Sequence, residues 1–135
     1  MTQKHKIAVV DDDELFLEAL GAALPDNIDV ELMTSSGELM AYLKSGPTNL
    51  EAIFVDLDMP DTENVSWKLG GLTAIRAIKN QLGKNSPMIG VMSGMDAFVH
   101  HYTCLKTGAD TFIEKSMFVK ETAAKVEQCL NTAAA

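Results

Sequence analysis

The chain has 135 residues, the size of one domain around one core, and at 47% hydrophobic it can fill that core, which excludes a disordered segment. Acids outnumber bases 19 to 11, and the net charge of −8 excludes a nucleic-acid surface, which needs clustered Lys and Arg, while leaving room for a bound cation or a basic patch on a partner protein. No apolar run approaches the ~20 residues of a membrane span, and the polar start MTQKHK has no signal-peptide core, so a soluble cytoplasmic protein without membrane contact is expected.

Apolar runs alternate with helical spacings along the chain. Residues 7–10, IAVV, predict a first strand. A helix follows from about Asp13 to before Pro25, with Phe16, Leu20, Ala23 and Leu24 on one face. Residues 29–33 alternate polar and apolar, as in a strand with one face exposed. Ser35 with Glu38 has the spacing of a capping box and opens a second helix, which stops at Ser45-Gly46-Pro47. Residues 53–55 predict the third strand. A third helix over about 72–82 turns Leu72, Ile75, Ile78 and Leu82 inward. Residues 88–92, behind Pro87, predict a fourth strand, and a fourth helix spans about 96–107 and ends at Gly108. Residues 111–113 form a short fifth strand. The last helix starts near Ser116, with Val119, Ala123, Val126 and Leu130 at helical spacing. The tail NTAAA reads as a fraying helix end or the start of a linker.

This order is βα repeated five times. It predicts one α/β domain with a parallel sheet, right-handed crossovers and helices on both faces. The strands read as apolar runs because both faces are covered.

Two of these apolar runs end abruptly in acid. IAVV runs into Asp11-Asp12-Asp13-Glu14, and AIFV, residues 52–55, into Asp56-Leu57-Asp58. In an open parallel sheet the ligand site lies at the carboxyl ends of the strands, where the strand order reverses. If the first and third strands are neighbours, Asp11, Asp12 and Asp56 converge. Like charges that close repel, and the cluster is tolerable when a cation sits among them. Hard oxygen donors suit Mg²⁺, which takes one or two carboxylates, a carbonyl and waters. Helix capping accounts well for Asp13 and poorly for Asp56, which no helix follows. The fourth strand ends in Ser93-Gly94 and the fifth in Glu114-Lys115. Acids, a hydroxyl and an ammonium on four strand ends suit a phosphoryl group: the metal and Lys115 neutralise its oxygens, Ser93 hydrogen-bonds another, and Asp56 is the nucleophile.

The motifs VVDDD (9–13), VDLDMP (55–60), MSG (92–94) and GADTFIEK (108–115) together resemble the receiver domains of two-component response regulators. The resemblance spans nearly the whole chain and treats 1–135 as one receiver domain. It implies the doubly wound, flavodoxin-like (βα)5 sheet in the order 2-1-3-4-5. It implies that Asp56 accepts phosphate from a histidine kinase or histidine phosphotransfer protein. Asp12 and Asp56 are implied to bind Mg²⁺ through their side chains, Asp58 through its carbonyl and Asp11 mostly through water. Ser93 is implied as the switch hydroxyl, Lys115 as the site lysine and Phe112 as the aromatic switch. The output implied is a change of protein partner on the face of the fourth helix, fifth strand and fifth helix, with a homodimer as one form. The implied activity is that of a signalling phospho-acceptor, not a turnover enzyme.

The chain departs from the family's pattern in three places. Ser116 stands where a proline reached through a cis bond usually follows the lysine. Residues 61–69, with the only tryptophan, Trp67, are inserted before Gly70-Gly71. Met95 follows Ser93-Gly94 at a position associated with hydrolysis of the phosphoaspartate. Trp67 is expected to pack near the rim of the site or the start of the third helix. DLDMP also resembles the nucleophile motif of haloacid-dehalogenase-type phosphatases, although there the motif lies on the first strand; a docking-only receiver is the other alternative. His100 and His101 are adjacent on a helix and face different ways, so they are no ligand pair. Cys104 and Cys129 lack metal or disulfide spacing and are expected to be inert.

Overall fold

The computed structural model describes residues 4–46, 49–57, 70–94 and 108–134. Five strands form one sheet: β1 (His5–Val10), β2 (Ile28–Met33), β3 (Ala52–Asp56), β4 (Met88–Ser93) and β5 (Thr111–Glu114). Every neighbouring pair is parallel, and the order is β2-β1-β3-β4-β5. The described helices are α1 (Glu14–Ala23), α2 (Ser36–Lys44), α3 (Gly70–Leu82) and the C-terminal α4 (Val119–Ala134), with a 3-10 turn at Gly83–Asn85. The expected fourth helix over 96–107, with His100, His101 and Cys104, lies outside the described residues, as do Asp58, the inserted residues 61–69 and Met95.

The sheet has a core on each side because neighbouring side chains on a strand point to opposite faces. Ala8, Val10, Ile53, Val55, Ile89 and Val91 pack with Leu39 and Leu43 of α2 and Ala74, Ile75 and Ile78 of α3. Ile7, Val9, Ala52, Phe54, Met92 and Ile113 pack with Leu17 and Leu20 of α1 and Ala123, Val126 and Leu130 of α4. Helices therefore cover both faces, as an all-parallel sheet requires. Gly90 sits where this packing is tightest. A Cβ there would lie 2.5 Å from the Phe54 ring, so the close approach of β4 to that ring needs a residue without one.

Where side chains are described, the helix faces agree with the spacing with one exception; Leu72 of the expected inner face of α3 lies outside them. Leu17, not Phe16, is the buried residue of the first turn of α1; Phe16 and Ala23 are half-buried. At 100° per residue either leucine or phenylalanine fits a broad apolar stripe, and the branched leucine is the one that reaches the core. The start of α1 is capped by Asp13, whose side chain accepts from the Phe16 amide at 3.1 Å. At α2, Ser35 Oγ accepts from the Glu38 amide at 3.1 Å. The return leg differs from a capping box: Glu38 accepts from the amide and hydroxyl of Thr34, one residue earlier than Ser35. The C-terminal helix starts at Val119, later than the expected Ser116, because residues 115–118 form a hydrogen-bonded loop ahead of it.

Candidate functional site

The strand register brings the acidic ends together. Val10 of β1 is level with Val55 of β3, so Asp11 and Asp56 are the next residues of two adjacent strands. The Asp11 amide donates to Met33 O at 3.0 Å and the Leu57 amide to Met92 O at 2.8 Å, so the ladders continue to the rim and fix both acids there. Asp11 is fully buried and Asp56 nearly so, while Asp12 is exposed. Carboxylate oxygens of the three lie within 4.8 Å of one another.

Lys115 closes the cluster from β5. Its amide donates to Ser93 O at 2.9 Å, which ties the fifth strand's end to the fourth's. Its Nζ lies 2.6 Å from Asp11 Oδ2 and 3.3 Å from Asp56 Oδ1. It also stands over the ring of Phe16 at 4.5 Å from the centroid, within cation–π range. Among the described residues no peptide bond is cis, so the lysine reaches both acids with Ser116 in place of the usual proline and without a cis link.

The charges explain each other. Burial pulls the Lys115 ammonium down, but the bond to Asp11 and the charges of Asp56 and Asp11 outweigh it, and the net pKa lies above the ordinary lysine value. Although Asp12 is exposed, partial desolvation of its carboxyl at the rim first, and then the charge of Asp11, push it above its ordinary value; Lys115 offsets only part of this.

The donor set fits a hard divalent cation. Asp11 Oδ1 accepts the Asp13 amide at 2.9 Å, but among the described residues the buried Oδ2 has no hydrogen bond of good geometry and only the ion pair to Lys115. Three clustered carboxylates against one ammonium leave negative charge in excess, and oxygen donors are what Mg²⁺ selects. Of the other residues singled out in the sequence, Ser93 is fully buried at the end of β4, and Phe112 of β5 is half-buried against the α2–α3 core. Asp58 falls outside the described residues. Phe16 is a site residue that the periodicity had placed in the core; no local signal distinguishes the two uses, because its partner is 99 positions further along the chain, Lys115. Cys129 is half-buried, with Sγ 3.8 Å from Thr111 Oγ1.

A family model described as the response regulator receiver domain matches residues 7–127. A search of curated protein sequences finds no match. Among solved structures, the BeF3-activated receiver domain of DrrB from Thermotoga maritima is 20% identical, covers 96% of this chain and 99% of its own, and superposes with a TM-score of 0.71. A CheY-like receiver domain protein from Methanospirillum hungatei JF-1 is 20% identical over 96% of both chains, with a TM-score of 0.72. The phosphorylated cyanobacterial phytochrome response regulator RcpA is 19% identical over 93% of this chain and 91% of its own, with a TM-score of 0.75. At these identities the likeness is one of fold. No described helix is long and apolar enough to cross a membrane.

Proposed function

The chain belongs to the response regulator receiver family, and we propose that it is the phospho-accepting receiver of a two-component phosphorelay, with Asp56 as the acceptor. One observation carries this reading. A lysine ammonium sits between two buried carboxylates, Asp11 and Asp56, at the ends of adjacent strands, with a third carboxylate beside them. Receiver domains interact with kinases and with downstream targets; for this chain the donor is a histidine kinase or a histidine phosphotransfer protein.

In the proposed reaction a carboxylate oxygen of Asp56 attacks phosphorus. The new O–P bond forms as the P–N bond of the donor phosphohistidine breaks, and its electron pair leaves with the imidazole, which takes up a proton. Bound Mg²⁺, held by the Asp12 and Asp56 side chains, the Asp58 carbonyl and through water by Asp11, would supply charge neutralisation for the phosphoryl oxygens. The Lys115 ammonium, already drawn to Asp11 and Asp56, has three donors and turns one to an incoming phosphoryl oxygen. The Ser93 hydroxyl takes another. Phe112 is then the aromatic that responds to Ser93, and the surface around β5 and α4 changes the protein partner it accepts, a downstream target or a second copy of the chain. Neither nucleic acid nor membrane has a part in this proposal, and the site of action is the cytoplasm.

Incubation with Mg²⁺ and acetyl phosphate tests the reading. The intact mass should rise by one phosphoryl group, hydroxylamine should remove it, and Asp56→Asn should not acquire it. Sustained release of phosphate from phosphate esters would instead favour an enzyme of the phosphatase kind.

A further inference from the structure

The lysine loop is held by hydrogen bonds that a proline at 116 could not make. The Ser116 amide donates to Thr122 Oγ1 at 3.0 Å, and Thr122 is fully buried in the first turn of α4. Proline has no N–H, so this bond exists because the residue after Lys115 is not a proline. The Ser116 hydroxyl donates to Glu121 Oε2 at 2.5 Å and accepts from the Phe118 amide at 3.1 Å. On the other side of the lysine, Lys125 Nζ donates to Glu114 O at 2.9 Å, and the Lys115 amide itself donates to Ser93 O at 2.9 Å. The backbone at and around Lys115 is therefore tied down, by Ser93 at the lysine amide, by Lys125 at the preceding carbonyl and by Thr122 at the following amide, while Glu121 holds the Ser116 hydroxyl.

We propose that Thr122 is a positioning residue for Lys115, acting through the Ser116 amide to hold the ammonium at Asp11 and Asp56. The chemistry that favours Thr122 over the other tethers is its burial. A buried hydroxyl oxygen that loses its donor is left with a desolvation cost, so the bond strongly selects the loop conformation in which it is made. The tethers made by Glu121 and Lys125 involve exposed side chains or exposed ends, where water competes. Lys115 carries a long, rotamer-rich side chain, and fixing its backbone is what limits where Nζ can go. This proposal rests on the reading of Lys115 as a ligand of the phosphoryl group.

The test compares Thr122→Val, which keeps the shape and removes the acceptor, with Thr122→Ser, which keeps the acceptor. At saturating Mg²⁺ and acetyl phosphate, Thr122→Val should slow phosphorylation of Asp56 about tenfold, in the range that small displacements of a catalytic group produce, while Thr122→Ser should restore at least half of the rate. In the unsubstituted protein, without metal, the Ser116 amide should be protected from hydrogen exchange although it belongs to no strand or helix. Equal rates for Thr122→Val and the unsubstituted protein, equal impairment of the Val and Ser variants, or a Ser116 amide that exchanges like a free peptide would each overturn the proposal. Lys115→Ala separates the two levels: if it is phosphorylated as fast as the unsubstituted protein, it is the role of Lys115 that fails, and the exchange measurement still decides whether Thr122 holds the loop.

Discussion

The Lys115 ammonium lies 2.6 Å from Asp11 Oδ2, a fully buried carboxylate oxygen that makes no other polar contact of good geometry among the described residues. Each group therefore depends on the other. Lys115→Met keeps the stem and removes the charge, leaving Asp11 buried with its nearest cation gone. Breaking a buried pair in this way costs about 3 kcal/mol, so metal-free Lys115→Met should unfold at clearly lower urea concentration than the unsubstituted protein. The pH dependence follows from the raised pKa of Lys115. A raised lysine contributes its stabilisation in full below the ordinary value of 10.5 and loses it as pH rises through the higher folded value. The gap between the two proteins should thus hold steady from neutrality up to that ordinary value and narrow above it. A gap that stays unchanged as pH rises well above the ordinary lysine value would contradict the pairing.

Asp12 is the opposite case. Its carboxyl is pushed up by partial desolvation and then by Asp11, so in the metal-free protein its ionised form is disfavoured in the folded state. The cost is absent below the ordinary value of 3.8, where both states are protonated, and complete once pH has risen through the raised folded value. Asp12→Asn should therefore raise the melting temperature of the metal-free protein at neutral pH, with the gain fading as pH falls toward that ordinary value. The same substitution removes a carboxylate proposed to hold Mg²⁺ and should weaken Mg²⁺ binding. For the unsubstituted protein, Mg²⁺ at a hundredfold excess over Kd should add about 2.7 kcal/mol. A melting temperature that ignores Mg²⁺ would show that the acidic cluster holds no metal.

Much of this site is legible in the sequence because it is made at strand ends. Short apolar runs that stop at Asp11, Asp56, Ser93 and Lys115 fix which residues meet at the rim once the strands are parallel, and the register carries out what those runs imply. The first turn of α1 was not legible, since Phe16 and Leu17 both fit the apolar stripe and only the position of Lys115 assigns the ring. The Ser116–Thr122 bond was equally hidden. It joins residues across a loop whose family counterpart lacks the donor, so no pattern announces it. The His5–Glu51 contact, 2.7 Å between residues 46 apart, has no local signature either.

Phe16 supplies a third prediction. Exchanging the ring for leucine keeps apolar volume but removes the π face under the ammonium, at a cost of about 1 kcal/mol for a partly desolvated cation–π pair. Phe16→Tyr keeps the face and should be nearly neutral. In a Lys115→Met background the Phe16→Leu effect should largely vanish, since the two groups form one interaction. Equal effects of Phe16→Leu with and without the lysine would show that the ring serves packing alone.

Gly90 tests whether β4 is held as close to Phe54 as the register requires. Gly90→Ala places a methyl group 2.5 Å from the ring and should destabilise by about 2 kcal/mol through overpacking. Phe54→Leu costs stability by itself, but in the double variant it should return part of the Gly90→Ala loss, a favourable coupling readable in a double-mutant cycle. Additive losses would mean that the strand relaxes away from the ring.

The acceptor itself can be located chemically. After phosphorylation with acetyl phosphate and Mg²⁺, borohydride reduces an aspartyl phosphate to homoserine, and peptide mapping then reads its position. All of the homoserine should fall at residue 56, at the end of β3, next to the Asp11–Lys115 pair. Homoserine at Asp11, Asp12 or Asp58, or none at all in protein that binds Mg²⁺, would contradict the assignment of Asp56.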